Sequence, residues 1–424
     1  MSQRTGVDAA APTGPRAGSR PLVLAAVFVL ASIGSVPAEA YGPDASDVPV
    51  IEGGASLAAA PTVEPGSYRD RLAKPGERHF YRIDVPAHQE LWASAVLSAP
   101  GPLAAPDDPD TVADTGATVA IQDAQGTDCT DESDSDVAAD LTGQFPILAH
   151  ASSGTVGTEE SCAAGPLFVS VSRDGVRGPD QSANLELVFA LRPTISAPGE
   201  PQAEPVQDEG PAPSQLPAET MSGGASFSDA RTVGPGNYRI RMDVRETRVL
   251  RLQVGEGQRL RWRAEVVSGP EDSSRTLRLR VRDPLRIPVA AATDSSDEVS
   301  PEQGAIMAGG TAAPIRAANA TSEDYDVATT SRSGTHYVTL EYVPGYDDEP
   351  DADLSDPVEV ALTLEVAGKQ RPVPQPAGAS RAAGAFGGMP WYRVTLGAGA
   401  LAAGVIGLGL IGAGLWRRRA TRRP

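Results

Sequence analysis

The chain has 424 residues, more than one hydrophobic core usually organises, which predicts two domains with additional segments. Its 55 acidic and 36 basic residues give a formal net charge of −19, which argues against nucleic-acid binding. With 44 Gly, 38 Pro and 5% aromatic residues, the composition excludes a protein of long helices and predicts an all-β fold of short strands and turns.

The N-terminus resembles a secretory signal. Three arginines precede an apolar run at residues 21–33, and the small residues Ala38 and Ala40 frame a signal-peptidase site. We predict a signal peptide at residues 1–40 and a mature chain that begins at Tyr41 outside the cytoplasm. An uncleaved amphipathic arm is the alternative.

The most informative feature of the sequence is an internal repeat. Residues 53–68 match residues 223–238, sharing Gly-Gly-Ala-Ser, Thr-Val and Pro-Gly-x-Tyr at fixed spacing. The match extends much later, because residues 165–171 correspond to residues 334–340. The repeat therefore predicts two tandem β-sandwich modules, at residues 51–193 and 221–367.

Alternating apolar residues predict an equivalent pair of strands in each module. In the first module Tyr81, Ile83 and Val85 are followed by Leu91, Ala93, Ala95 and Leu97; in the second, Leu250, Leu252 and Val254 are followed by Leu260, Trp262, Ala264 and Val266. Turn residues lie between the two strands, at 86–89 and 255–258, so each pair is predicted to form a hairpin. A closing strand is predicted at residues 184–191 and 359–366.

The two cysteines, Cys129 and Cys162, both fall in the region predicted to be exported. Because an oxidising compartment favours pairing, we predict one disulfide between them. Two free thiols or an intermolecular bridge are the alternatives, since a sequence does not give the distance between Cα atoms.

Acidic residues crowd beside Cys129. Hard cations such as Ca²⁺ take several carboxylate oxygens, so a calcium site is a hypothesis for Asp128, Asp131, Asp134 and Asp136. A second acidic cluster lies at residues 347–356. Neither run keeps the residue order of a known calcium loop, and solvated acidic loops that aid solubility are the alternative.

The remaining segments predict a membrane anchor. Residues 194–220 form a Pro/Glu-rich linker, and residues 368–390 a stalk. An uncharged stretch follows, predicted as a transmembrane helix at residues 394–416, and the Arg-rich tail at 417–424 places the C-terminus in the cytoplasm. Small residues at Gly399, Ala403 and Gly407 form one face of this helix, where homo-oligomers or a membrane complex could assemble.

No catalytic pattern is recognisable in the sequence. The four histidines, His79, His88, His150 and His336, lack zinc-site spacing, and no Gly-x-Ser-x-Gly motif is present. We therefore predict a non-catalytic protein with no cofactor apart from the calcium hypothesis.

Residues 65–91, with Pro-Gly-Ser-Tyr followed by Phe-Tyr-Arg-Ile-Asp-Val, resemble the bacterial pre-peptidase C-terminal type of β-sandwich. The resemblance implies a jelly-roll-like fold that accompanies secreted peptidases or surface proteins as a binding or stabilising part.

Lysine occurs only at Lys74 and Lys369 while Arg and Ala are abundant, a usage typical of a GC-rich, actinobacterial-type genome.

Together these features predict a plasma-membrane protein with its modules outside the cell. Its function is predicted to be binding or scaffolding of a protein or envelope partner. A membrane-anchored hydrolase, or an accessory subunit of an exported peptidase or membrane complex, is the alternative.

Overall fold

The computed structural model describes residues 48–98, 115–135, 137–138, 146–158, 162–176, 178, 180–193, 195, 199–214, 216–270, 274–344 and 356–374. The predicted signal peptide, transmembrane helix and cytoplasmic tail lie outside these residues, as does most of the stalk. Within the described ranges no helix is both long and apolar enough to cross a bilayer.

The first module is a sandwich of two antiparallel sheets. Its strands are β1 (Gly66–Leu72), β2 (Arg78–Val85), β3 (Gln89–Ser98), β4 (Thr115–Gln122), β5 (Glu132–Ser135), β6 (Val137–Ala138), β7 (Ile147–Thr155), β8 (Gly165–Gly175) and β9 (Ala183–Pro193). One sheet, which we call 1A, has the order β1-β9-β3-β7-β5. The other, 1B, has the order β2-β8-β4-β6.

The second module is also a sandwich of two sheets. Its strands are β10 (Glu219–Met221), β11 (Arg231–Thr232), β12 (Gly236–Met242), β13 (Thr247–Val254), β14 (Arg259–Ser268), β15 (Thr276–Arg282), β16 (Glu298–Val299), β17 (Ile306–Gly310), β18 (Gly334–Val343) and β19 (Val358–Ala367). Sheet 2A has the order β10-β12-β19-β14-β17, and sheet 2B the order β11-β13-β18-β15-β16. The short edge strands β10 and β11 pair in parallel, and the other strands pair antiparallel. A four-residue helix, α1 (Tyr325–Ala328), precedes β18.

Equivalent strands pair in the same way in both modules, which confirms the duplicated β-sandwich. The order β1-β9-β3-β7 corresponds to β12-β19-β14-β17, and β2-β8-β4 corresponds to β13-β18-β15. Even a local contact is repeated, since Tyr68 donates its hydroxyl to the Glu64 carbonyl at 2.7 Å and Tyr238 donates to Gly234 at 2.6 Å.

Each module has its own core between its sheets, built from the predicted inward residues. In the first module Tyr81, Ile83 and Leu91 are fully buried, and in the second Leu250, Leu260 and Trp262 are at most 1% exposed. Side chains on one face of a strand recur every second residue, so the alternating pattern delivers them all to the space between the sheets.

The predicted hairpins are wrong. Strand β2 pairs with β8 in sheet 1B, whereas β3 pairs with β7 and β9 in sheet 1A. In the second module β13 and β14 likewise belong to different sheets. Two strands that face each other across a core show the same alternation as two paired neighbours, so the pattern does not distinguish the two arrangements.

The predicted disulfide is confirmed. Cys129 and Cys162 are bonded, with their Cα atoms 5.7 Å apart. Cys129 lies between β4 and β5, donates its backbone N–H to Ile121 of β4 at 2.8 Å, and is 7% exposed. The bond ties the segment before β5 to the segment before β8.

Much of the segment predicted as a linker lies along the second module. We call residues 199–214 and 216–218 the strap. Val206 donates its backbone N–H to Ala312 at 2.8 Å, and the Asp208 side chain, 4% exposed, pairs with Arg259 at 2.9 Å and Arg261 at 3.0 Å. Gly210 has a φ of +79°, and a Cβ there would lie 2.5 Å from the Trp262 carbonyl oxygen. A proline-rich chain cannot form a core, but it can lie extended along the outer face of a sheet.

Candidate functional site

The two modules pack against each other through an apolar junction. In one patch Trp92, Val188 and Ala190 from the outer face of sheet 1A contact Leu285 and Ile287 of the second module. A second patch joins Val96 and Leu148 of sheet 1A to Phe227, Ala230 and Val249, with Tyr337 packed beside them. All the residues of both patches except Tyr337 are at most 6% exposed.

Paired charges are buried beside these patches. Arg286 lies 3.3 Å from Glu186 across the junction, and each side chain is 5% exposed. The same glutamate accepts the backbone N–H of Ser228 at 3.2 Å, and the Arg286 guanidinium lies over the Phe227 ring at 5.5 Å. Because a buried charge that loses its partner costs several kcal/mol, this pairing opposes sliding of one module on the other.

A second group of charged and aromatic side chains surrounds Trp92. The Arg332 guanidinium lies 3.9 Å from the centroid of the Trp92 ring and 2.8 Å from the Asp283 carboxylate. The His150 ring stacks on Trp92 at 6.4 Å. An arginine over an indole face contributes about 2 kcal/mol when desolvated, so Trp92 is an anchor of the junction.

His150 is held neutral in this setting. Burial is the main cause of its lowered pKa; the carboxylates of Asp283 and Asp134 oppose the effect, and the guanidiniums of Arg332 and Arg282 reinforce it. A neutral imidazole at this position avoids adding a third positive charge between two arginines.

The turn that carries Leu285 and Ile287 is held by hydrogen bonds to the Asp283 side chain. The Asp283 carboxylate accepts the backbone N–H groups of Leu285 at 2.8 Å and Ile287 at 2.9 Å. Between them Arg286 has a φ of +67°, a left-handed conformation that is strained for a residue with a side chain. The turn therefore directs Arg286 into the junction at some cost in backbone energy.

The acidic residues predicted to bind calcium are placed differently from one another. The Asp128 carboxylate accepts the N–H of Thr130 at 2.9 Å, and Asp134 stands opposite His150 in the β5-β7 pairing. Asp131 donates its backbone N–H to Ser152, while Asp136 lies outside the described residues. Among the residues that the structure describes, no three His, Cys, Asp or Glu form a metal-holding group. Calcium binding at this loop stays a prediction.

The residues predicted for helix association, Gly399, Ala403 and Gly407, also lie outside the described part of the chain.

Of the four histidines, His79 belongs to a charged cluster in the first module. Asp70 Oδ2 accepts hydrogen bonds from His79 Nδ1 at 2.7 Å and from the Tyr81 hydroxyl at 2.6 Å, and the Gly53 N–H donates to it at 2.9 Å.

In this cluster, the shifts in pKa favour a negatively charged Asp70 beside a positively charged His79. Burial alone would raise the pKa of Asp70, but the hydrogen bonds from His79, Tyr81 and neighbouring backbone outweigh it and leave the pKa lowered. The hydrogen bond to Asp70 raises the pKa of His79 against the effect of burial, and Glu77 raises it further. Both ring nitrogens of His79 thus face carboxylates, with Nδ1 2.7 Å from Asp70 and Nε2 3.4 Å from Glu77. The cluster therefore links β1 to β2.

A cavity of about 280 Å³ lies on the outer face of sheet 2A, beneath the last part of the strap. Its lining includes Pro213, Ser214, Leu216, Asn237, Arg239, Arg263, Glu265, Ala361 and Thr363. Thr363 donates its hydroxyl to Asn237 Oδ1 at 3.0 Å. The lining is a mixture of polar and apolar side chains, and Glu265 is its single carboxylate among the described residues.

The sequence predictions missed the junction, although a signal for it was present. Residues 91–97 read Leu-Trp-Ala-Ser-Ala-Val-Leu, with apolar or small residues on both faces, whereas the equivalent β14 alternates with Arg261, Arg263 and Glu265. A strand with two apolar faces is buried on both sides. The outer face of β3 therefore needed a partner.

No protein-family model matches the chain, and no curated protein sequence matches it. Among solved structures, the chain is similar to the N-terminal CBM22-1–CBM22-2 tandem domain of Paenibacillus barcinonensis Xyn10C, with 14% sequence identity over 72% of this chain and 91% of that one. The TM-score is 0.19, which does not establish a shared fold. The assignment of two sandwiches is therefore based on the strand pairings.

Proposed function

We propose that this chain is a non-catalytic cell-surface protein that binds or scaffolds a protein or envelope partner. Its two jelly-roll-like modules would be held outside the plasma membrane by the C-terminal helix at residues 394–416. The observation that supports the proposal best is the junction, where Glu186 and Arg286 pair at 3.3 Å within apolar contacts between the modules.

A fixed arrangement of two modules suits binding. A partner that contacts both modules meets surfaces already in place, so less conformational entropy is lost on association than with a flexible tandem. The junction uses the outer faces of sheets 1A and 2B. Among the described residues, this leaves the outer face of 1B, and the part of 2A that the strap does not cover, for a partner.

The rival hypothesis of a hydrolase needs a nucleophile with a base, or a pair of carboxylates. The cavity on sheet 2A offers one carboxylate, Glu265, among its described lining residues. His79 is held between Asp70 and Glu77. Neither arrangement favours hydrolysis, so the binding role is the one we propose.

Membrane anchoring is tested by fractionation of cells that produce the full chain. We expect the protein to stay with membranes after alkaline carbonate extraction and its modules to be cleaved by protease added to intact cells. A chain that stops before residue 394 should be released. Release of the full chain by carbonate would contradict the anchor.

Binding is tested by co-purification from mildly solubilised membranes. The native chain is compared with one whose helix at 394–416 is replaced by polyleucine, and with Phe227→Ala and Leu57→Ala variants. We expect a defined partner to be retained with the polyleucine helix and with Leu57→Ala, and to be lost with Phe227→Ala, which loosens the junction. Loss with polyleucine alone would move specificity to the membrane helix, and equal retention by both Ala variants would overturn the role of the fixed arrangement.

A further inference from the structure

The outer face of sheet 2A is the structural equivalent of the surface that sheet 1A uses at the junction. The strand registers place Arg261, Arg263 and Glu265 of β14 where β3 has Trp92, Ser94 and Val96. In the same way, β19 has Ala361 and Thr363 where β9 has Glu186 and Val188.

The exchange of side chains changes what this face can contact. Trp92, Val96 and Val188 dock onto the second module and are at most 6% exposed. Arginine, glutamate and threonine at the equivalent positions would be costly to bury against another module. Sheet 2A therefore ends the stack, as the polar outer face of a terminal repeat does.

The same exchange creates a trough. Asn237, Thr363 and Arg263 form one row across three neighbouring strands, and Arg239, Ala361 and Glu265 form the next. Strands lie about 4.8 Å apart, so the small residues of central β19 form a floor between the longer side chains of β12 and β14. Pro213 and Leu216 of the strap close one side, and Leu216 is 73% exposed.

Three arginines of this face are paired with carboxylates. Arg259 and Arg261 pair with Asp208 of the strap, and Arg239 pairs with Glu359 at 2.9 Å. The Arg263 side chain makes no hydrogen bond or ion pair with any residue in the described part of the chain, and its Nε is buried without a partner. A buried N–H group without an acceptor is costly, and a bound anion would relieve that cost.

We propose that this trough binds a small ligand that carries a carboxylate, with the carboxylate on the Arg263 guanidinium. The fork of an arginine matches a carboxylate with two hydrogen bonds. Thr363, Asn237 and Ser214 lie beside it as partners for hydroxyl or amide groups. A volume of about 280 Å³ is at the small end of ligand sites and suits a dipeptide or a sugar acid. This inference rests on the proposed binding role and names the ligand class for one of its free faces.

The test is ligand-observed NMR titration of the full chain with two acids and their neutral counterparts. The probes are glucuronate with glucose, and N-acetyl-Ala-Ala with its C-terminal amide. We expect at least one acid to bind, its neutral counterpart to bind at least about tenfold more weakly, and Arg263→Gln to weaken the acid by about tenfold or more. Arg241→Gln, an exposed arginine on the same face outside the trough, is the matched control and should leave binding unchanged.

A second variant, Ala361→Leu, fills the floor of the trough without changing charge and should also abolish binding. Which acid binds distinguishes a sugar source from a peptide source of the carboxylate. Binding of neither acid, or binding equal in Arg263→Gln and Arg241→Gln, would overturn the proposal. The co-purification result does not depend on Arg263, so failure here and failure of the binding role are separate outcomes.

Discussion

Replacing Phe227 by alanine should loosen the junction. Phe227 belongs to the second module and is 1% exposed, packed on Val96 and Leu148 of the first. Its ring also meets Tyr337 edge-on, with centroids 5.0 Å apart. Truncating a fully enclosed phenylalanine costs about 3 to 5 kcal/mol, because both the transfer of the ring from water and the packing around it are lost.

The repeat supplies a matched control for this change. Leu57 occupies the equivalent position in the first module, is half-buried and takes no part in the junction patches. Leu57→Ala should cost about 1 kcal/mol, since less apolar surface is removed from a covered site.

Urea unfolding of the full chain measures both costs, and hydrogen exchange followed by mass spectrometry shows where each acts. In Phe227→Ala we expect faster exchange in β3 and β7 of the first module, although the substitution is in the second. A cost no larger than that of Leu57→Ala, or faster exchange confined to the second module, would refute the role of Phe227 in joining the modules.

Three further changes test other parts of the structure. The pKa of Asp70 is lowered from 3.8 and that of His79 is raised from 6.5, so the charged pair stabilises the fold most between these two values. The free energy of unfolding should therefore fall from about pH 6 to about pH 9 as His79 loses its proton, and it should fall less in His79→Gln. Equal urea midpoints of the native chain at the two pH values would contradict this prediction. Replacing Cys129 and Cys162 by alanine should lower the free energy of unfolding by about 3 to 4 kcal/mol, because a loop with a sequence separation of 33 is no longer closed, and an unchanged midpoint would refute this estimate. Asp208→Asn should cost about 1.5 to 3 kcal/mol and free the strap, measured as protease cleavage in residues 199–214, whereas Glu209→Gln at the exposed neighbour should match the native chain.

The candidate site shows where sequence patterns stop being informative. The Cys129–Cys162 bond could be predicted because two cysteines in a chain that is predicted to be exported have one intramolecular pairing. The Glu186–Arg286 pair could not, since its members are 100 positions apart and meet only after two modules fold and dock. The trough is also invisible in sequence, because Ala361 is an ordinary strand residue until its longer neighbours on β12 and β14 are known.

The sequence by itself determined the strands, their inward faces and the duplication. These follow from local periodicity and from similarity between two segments of one chain, both of which are independent of how distant parts meet. Only the tertiary structure decided that β2 and β3 lie in opposite sheets, that the strap binds Arg259 and Arg261, and that the modules pack together. Each of these depends on which surfaces exclude water from each other, and one pattern of apolar and polar residues is compatible with several such arrangements.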